Sequence, residues 1–177
     1  ATKLSGALPA IDGSALTGIG YPLTSGTVTN TTSSTSKDYT SLPSWVKRIT
    51  ISLEGVSSNG SDAFLIQLGD AGGVEATSYI NSSIRLGASI ADYAATTGFR
   101  LYSDSAGFAY YGQITLTLID SSTNTWSCSA VTGRTGSVYL FISTGSKSLS
   151  AVLDRVRLTT TGGTNTFDAG KINILYE

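Results

Sequence analysis

The 177-residue sequence has no histidine, no methionine, one cysteine and three prolines. Each shortage removes a class of chemistry. Without histidine there is no Ser-His-Asp triad, no Cys-His pair and no imidazole zinc site. The lone thiol, Cys128, can close no internal disulfide and build no thiolate cage. Its neighbours Trp126, Ala130 and Val131 suggest a buried, inert group. Charge is also scarce, at 13% of residues, against a usual ~25%. The net charge is −1 and the basic residues are scattered, so no field is expected that would hold a nucleic-acid backbone. No run approaches the ~20 apolar residues of a membrane span, and no apolar stretch near Ala1 has the look of a signal peptide.

What fills the space is hydroxyl and glycine. Serine and threonine take roughly three positions in ten, and there are 20 glycines. With 40% hydrophobic residues the chain is long enough to bury a proper core. β-Branched threonines suit a pleated surface and lose χ1 freedom in a helix. Composition divides the chain into three zones. Residues 1 to about 23 carry Leu8-Pro9-Ala10-Ile11-Asp12-Gly13-Ser14-Ala15-Leu16-Thr17-Gly18-Ile19, in which proline and glycine break any helix. Thr24 to Ser36 is nearly all Thr, Ser, Gly and Asn, and reads as a linker or a solvated, loosely extended arm. From about Lys37 onward strands are expected.

Period-two alternation locates those strands. Ile49, Ile51 and Leu53 point one way while Arg48, Thr50 and Ser52 point the other. Ile114, Leu116 and Leu118 alternate with Thr115 and Thr117 in the stretch Gly112 to Asp120. Val138 to Ser143, Leu153 to Thr159 and Lys171 to Tyr176 repeat the pattern. Phe64 to Leu68 is a continuous apolar run, which predicts a strand covered on both faces. Turn chemistry separates these segments at Ser58-Asn59-Gly60, Asp70 to Gly73, Asp120 to Asn124 and Thr161 to Asn165. Spacings of roughly 8–12 residues between breaks predict an all-β sandwich or barrel. Only Ser89 to Ala95 has the makings of a short helix.

Several of these segments together resemble phage and prophage tail fibres. The Leu8-to-Ile19 element is similar to one that precedes fibre heads. Ser44-Trp45-Val46-Lys47-Arg48-Ile49-Thr50, Gly55 to Gly60, Leu68 to Glu75, and the closing runs Leu153 to Arg157 and Phe167 to Glu177 resemble a C-terminal head domain. The resemblance implies a virion component at a fibre tip: residues 1–36 as shaft end and neck, and residues 37–177 as an antiparallel, jelly-roll-like β-sandwich head. It further implies a homotrimer, joined to other tail proteins, that binds a bacterial surface glycan such as lipopolysaccharide, or an outer-membrane protein. A tailocin fibre shares such heads. The resemblance carries no fixed set of binding residues. Two other readings compete: a structural virion protein of the capsid surface or baseplate, and a capsule depolymerase.

A depolymerase needs two carboxylates. The candidates Asp62, Asp70, Glu75, Asp92, Asp104, Asp120, Asp154 and Asp168 mostly sit beside Gly, Ser or Asn, where a carboxylate normally caps a turn. Calcium on Asp70 and Glu75 would lack the EF-hand spacing; no metal, cofactor or catalytic residue is expected. Asp154-Arg155-Val156-Arg157 places two arginines on the outer side of a strand, ready to pair with carboxylates. For glycan contact, exposed rings with polar partners are the usual means. Trp45, Phe64, Tyr139 and Phe141 fall in strand patterns and read as core. Tyr93 to Tyr111 is different, packing Tyr93, Phe99, Tyr102, Phe108, Tyr110 and Tyr111 among small residues with Arg100 and Asp104 between them. Two readings stand for it: receptor-contacting loops at the distal end, or rings packed on the sheet or at a trimer interface. The receptor-binding candidates are Tyr93, Arg100, Tyr102, Asp104, Phe108, Tyr110 and Tyr111, with Asn124, Trp126 and Arg134 from neighbouring turns.

Overall fold

A computed structural model describes residues 21–102 and 105–177. The Leu8-to-Ile19 element and Asp104 lie outside the described residues. Among those described there is no helix, and fourteen strands form two antiparallel sheets. The strands are β1 (Thr24–Ser25), β2 (Thr29–Asn30), β3 (Lys37–Tyr39), β4 (Arg48–Ser58), β5 (Phe64–Asp70), β6 (Gly73–Val74) and β7 (Ile80–Leu86). They continue as β8 (Ala91–Ala94), β9 (Phe99–Leu101), β10 (Tyr110–Asp120), β11 (Thr125–Arg134), β12 (Leu140–Ser148), β13 (Arg155–Thr160) and β14 (Phe167–Tyr176). The large sheet runs β1-β14-β4-β10-β11-β12-β7-β8, with β2 also on β14; the small one runs β3-β13-β5-β6, with β9 on the same edge of β5 as β6. The two face each other across one core, as a β-sandwich.

The alternation places the core as expected. Ile49, Ile51 and Leu53 of β4 are buried together with Ile114 and Leu116 of β10 and Ile172 and Ile174 of β14. The register sets Ile51 opposite both Ile114 and Ile174, so branched side chains meet across three strands. Every residue of β5 is buried, as its unbroken apolar run predicts. Its inner side carries Phe64, which meets Tyr110 and Phe167 edge-on at 5.2 and 5.3 Å. Asn81 of β7 ties the layers together: its amide donates to Ser143 Oγ (2.9 Å) and its oxygen accepts Arg100 N–H from β9 (3.2 Å).

Two segments differ from the sequence expectation. Ser89 to Ala95 forms no helix, because Ala91–Ala94 pairs with β7 as an edge strand. Thr24 to Ser36 is extended, yet it is strapped onto the sandwich. Thr24 and Ser25 pair with Tyr176 and Leu175, Thr29 pairs with Ile172, and Ser34 bridges to Phe167. The fully buried Thr31 hydroxyl donates to Ala169 O at 2.6 Å. Backbone pairing of this kind needs no apolar side chain, so a polar composition does not reveal it.

The registers give the sandwich two distinguishable ends. Tyr21 stacks on Trp45 with ring centroids 4.5 Å apart, and Glu177 exchanges backbone hydrogen bonds with Arg48, which puts both at one end. We call it proximal. The 121–124 turn and the 70–73 turn share it, whereas Ser58, Phe64, Leu101, Tyr110, Arg134 and Phe167 mark the opposite, distal end.

Candidate functional site

The distal end gathers most of the predicted contact residues. Tyr102 leaves β9 and stacks on Phe141 of β12 at 4.6 Å with the rings nearly parallel. Tyr93, on edge strand β8, leans on Tyr102 at 5.1 Å, and the Arg100 guanidinium lies 4.3 Å from the Tyr93 centroid. Phe108 and Arg134 come from segments well separated in sequence, yet Arg134 sits 3.9 Å from the Phe108 centroid. The approach of their segments is fixed by Thr135 N–H donating to Ala109 O at 2.9 Å.

Two residues outside the predicted contact set complete the cluster. Tyr139 lies between two guanidiniums, 4.4 Å from Arg134 and 5.1 Å from Arg85. Arg85 donates to the Tyr102 hydroxyl (3.1 Å) and to Ser89 Oγ (2.8 Å), while Arg134 Nε donates to Ser137 Oγ at 2.7 Å. Glycine makes this packing possible: a Cβ on Gly87 would lie 1.9 Å from the Tyr139 ring. Cation–ring contacts of this sort stabilise by about 0.5–2 kcal/mol each, depending on desolvation. The outer surface above them is apolar, with Val138, Ile90 and Tyr111 exposed by 94%, 71% and 49%.

The predicted set is nevertheless split. Tyr102, Tyr110 and Arg134 are buried, so they support the distal surface from beneath and present no ring or charge of their own. Phe99 is fully enclosed as well. Of the predicted aromatics, Tyr111 is the exposed one; Tyr93 and Phe108 are half-buried. Asn124 and Trp126 lie at the proximal end, far along β10 and β11 from Arg134. Asn124 adopts φ 49° in the β10–β11 turn, where its carbonyl accepts Leu149 N–H. Trp126 is buried and lines a small cavity with Val46, Leu118 and Leu153. Trp126 is therefore a core position, and Asn124 lies at the end opposite the other predicted contact residues.

Asp70 and Asp120 cap their own turns, whereas Asp154, Asp168 and Asp38 pair with residues far along the chain. Asp120 accepts the Ser122 N–H and hydroxyl at 2.8 and 2.7 Å, and these bonds hold its carboxyl below the ordinary range. Asp154 accepts Ser41 N–H, and Asp168 accepts the Ser57 hydroxyl. Arg157 forms a two-pronged pair with Asp38, both bonds 2.7 Å, on the exposed side of β13. Asp70 and Glu75 converge through Ser150, whose hydroxyl lies 2.7 Å from Asp70 Oδ2 and 2.8 Å from Glu75 Oε1. Ser150 N–H also donates to Glu75, at 2.7 Å. The Ser150 bond, with Gly72 N–H, lowers the Asp70 pKa. For Glu75, burial works against ionisation, but Lys147 at 2.5 Å and the Ser150 donors outweigh it and hold the carboxyl low. Glycosidic acid catalysis needs a carboxyl kept protonated by its surroundings, and here both are kept ionised. Among the described residues no group of three acidic or thiol side chains is arranged to hold a metal ion. Cys128 is buried between the sheets, which pushes its thiol up to about 12 and leaves it protonated at neutral pH.

No protein-family profile matches the chain, and no curated protein or solved structure matches it either.

Proposed function

We propose that the chain is the receptor-binding head of a phage tail fibre, a jelly-roll-like sandwich that works as a homotrimer in the virion. In this reading the distal end attaches reversibly to a bacterial surface glycan or outer-membrane protein. The observation that carries it is the polarity of the sandwich. The described chain arrives and leaves at one end, at Tyr21 and Glu177, while rings, arginines and exposed apolar side chains collect at the other. Such a polarity suits a tip module, with its attachment to the rest of the fibre behind it and its contact surface in front. The sequence resemblance to fibre heads points the same way. Rigid aromatic side chains give contact area at low entropic cost, and three copies would multiply weak single contacts through avidity.

The test is binding of labelled chain to a panel of bacterial envelopes and purified surface glycans. Binding to some member of the panel, lost when Tyr111→Ala and Val138→Asp are combined, is the expected result. Full binding by that double variant would remove the distal surface from the reading. No binding across the panel would favour a structural place in the virion.

A further inference from the structure

The turn between β4 and β5, at the distal end, holds the parts of a reaction that the chain can carry out on itself. Asn59 is exposed there and is followed by Gly60. The Asn59 side-chain oxygen accepts Thr166 N–H at 2.9 Å, and Asn59 N–H donates to Thr166 O at 3.0 Å. A donor on that oxygen draws electron density from the amide carbon and stabilises the negative charge that attack on it would build. Neither bond occupies the side-chain nitrogen, which is the group that would leave. The Gly60 N–H has no acceptor among the described residues. Joining the Gly60 nitrogen to the Asn59 side-chain carbon closes a five-membered ring, so the covalent chain itself keeps the two atoms within reach.

The turn also demands glycine at this position. A Cβ on Gly60 would lie 2.2 Å from Asn165 Nδ2. No side chain therefore branches beside the attacking nitrogen. The other asparagines are followed by Thr31, Ser82, Thr125, Thr166 and Ile174, whose side chains crowd that approach. Asn81 is held further, because its amide nitrogen donates to Ser143 and Thr144.

We infer that Asn59 is a self-modification site of the folded chain, converting to aspartate and isoaspartate with water as the only co-reactant. The Gly60 nitrogen gives its proton to hydroxide and bonds to the Asn59 side-chain carbon. The bond from that carbon to Nδ2 breaks, and the nitrogen takes a proton from water and leaves as ammonia. The cyclic imide that remains takes up one water. Opening at the side-chain carbonyl gives aspartate; opening at the main-chain carbonyl gives isoaspartate, with the main chain rerouted through the side-chain carbon. Nothing is oxidised or reduced. Either product adds one negative charge to a chain whose net charge is −1, in the same turn as Asp62. Aspartate keeps an oxygen for Thr166 N–H, whereas isoaspartate lengthens the main chain and displaces Gly60 against Asn165.

The test incubates the full 177-residue chain, folded, in neutral and in mildly alkaline buffer and follows its mass. A gain of about 1 Da is expected, from ammonia lost and water gained. Proteolytic mapping should confine it to the peptide holding Asn59, split between aspartate and isoaspartate. The gain is faster in alkali, since the nucleophile is the deprotonated amide. Gly60→Ala combined with Asn165→Ala, which makes room for the new methyl, is expected to show no gain over the same interval. Circular dichroism checks that this variant is folded. Isoaspartate in the parent is the check that needs no variant, because only the imide leads to it. A folded parent without the gain at Asn59, or with aspartate alone, overturns the inference. So does an earlier gain at Asn81, Asn124, Asn165 or Asn173, or a folded double variant that gains mass at the parent's rate.

Discussion

The two ends of the sandwich are built from the same strands but differ in the aromatic content packed around their charges. At the proximal end charges meet opposite charges and turn hydroxyls: Lys147 with Glu75, Arg48 with Glu177, Asp70 with Ser150. At the distal end the described contacts of Arg85, Arg100 and Arg134 are with ring faces and hydroxyls. A carboxylate partner titrates in mild acid, whereas a guanidinium over a ring has nothing to titrate there. The proximal carboxylates couple that end to pH. The difference also separates anchoring from presentation. Paired charges and capped turns fix backbone, while stacked rings prop up an apolar outer surface.

The comparison breaks most visibly if the distal rings are not part of the core. Replacing Tyr102 with Ala removes the ring stacked on Phe141 and the hydroxyl that receives Arg85. A loss of roughly 3–5 kcal/mol is expected for truncating a buried aromatic, read from denaturant unfolding. A near-neutral outcome would mean that the distal cluster is laid on the sandwich and not built into it.

Lys147→Met sharpens the proximal side. It leaves Glu75 without its cation, and a loss of about 1–3 kcal/mol is expected at neutral pH, less than for a fully buried pair because Glu75 keeps its Ser150 donors. The pH dependence follows from the direction of the shifts. Asp70 and Glu75 ionise more readily in the folded chain than at their ordinary values of 3.8 and 4.5. Their stabilisation is therefore present above those values and is lost as pH falls through the lower folded-state ones. Thermal melts should show the parent weakening below about pH 4, and the gap between it and Lys147→Met closing over the same interval. A gap that stays constant into acid would show that Lys147 contributes by packing alone.

Gly87→Ala is the most local of the three. The added methyl meets the Tyr139 ring, so that side chain must swing away from Arg85 and Arg134. Roughly 1–3 kcal/mol is expected for such overpacking, together with a change in the near-ultraviolet circular dichroism of tyrosine. A variant with the parent's spectrum would mean the ring is free to yield.

Much of the architecture could be read from side-chain alternation. Ile49, Ile51 and Leu53, and then Ile114 and Leu116, announce their strands because a half-buried sheet must alternate, and Phe64 to Leu68 announces a strand with two covered faces. The rest is held by contacts that leave no local pattern. Ser25 pairs with Leu175 through backbone alone, so the polar stretch before Lys37 carries no sign of belonging to the sheet. Ala91 to Ala94 is too short and too alanine-rich to show a period. The candidate site was legible in composition but not in geometry. Tyr102, Phe108, Tyr110 and Tyr111 lie toward one end while Thr96 and Phe99 run down to Tyr79, and which rings turn outward depends on strands far along the chain. Tyr110 faces Phe64 and Phe141, whereas Tyr111, the next residue, faces solvent. Arg85 and Tyr139 join the cluster only through the pairing of β7 with β12.

The strap formed by β1 and β2 has a mechanical side. A pull on residue 21 directed away from the sandwich runs along the strap, while its hydrogen bonds to β14 lie across that direction. Bonds at Thr24, Ser25, Thr29 and Asn30, with the buried Thr31 hydroxyl, are then loaded together in shear and do not peel away singly. Glu177 at the same end is held by Arg48 through backbone bonds and an ion pair at 2.7 Å, so β14 is braced where the load is applied. Resistance to force is set by the rate of unfolding and not by its equilibrium. Those few polar residues therefore bear on how long the sandwich holds under tension, out of proportion to the little apolar surface they bury.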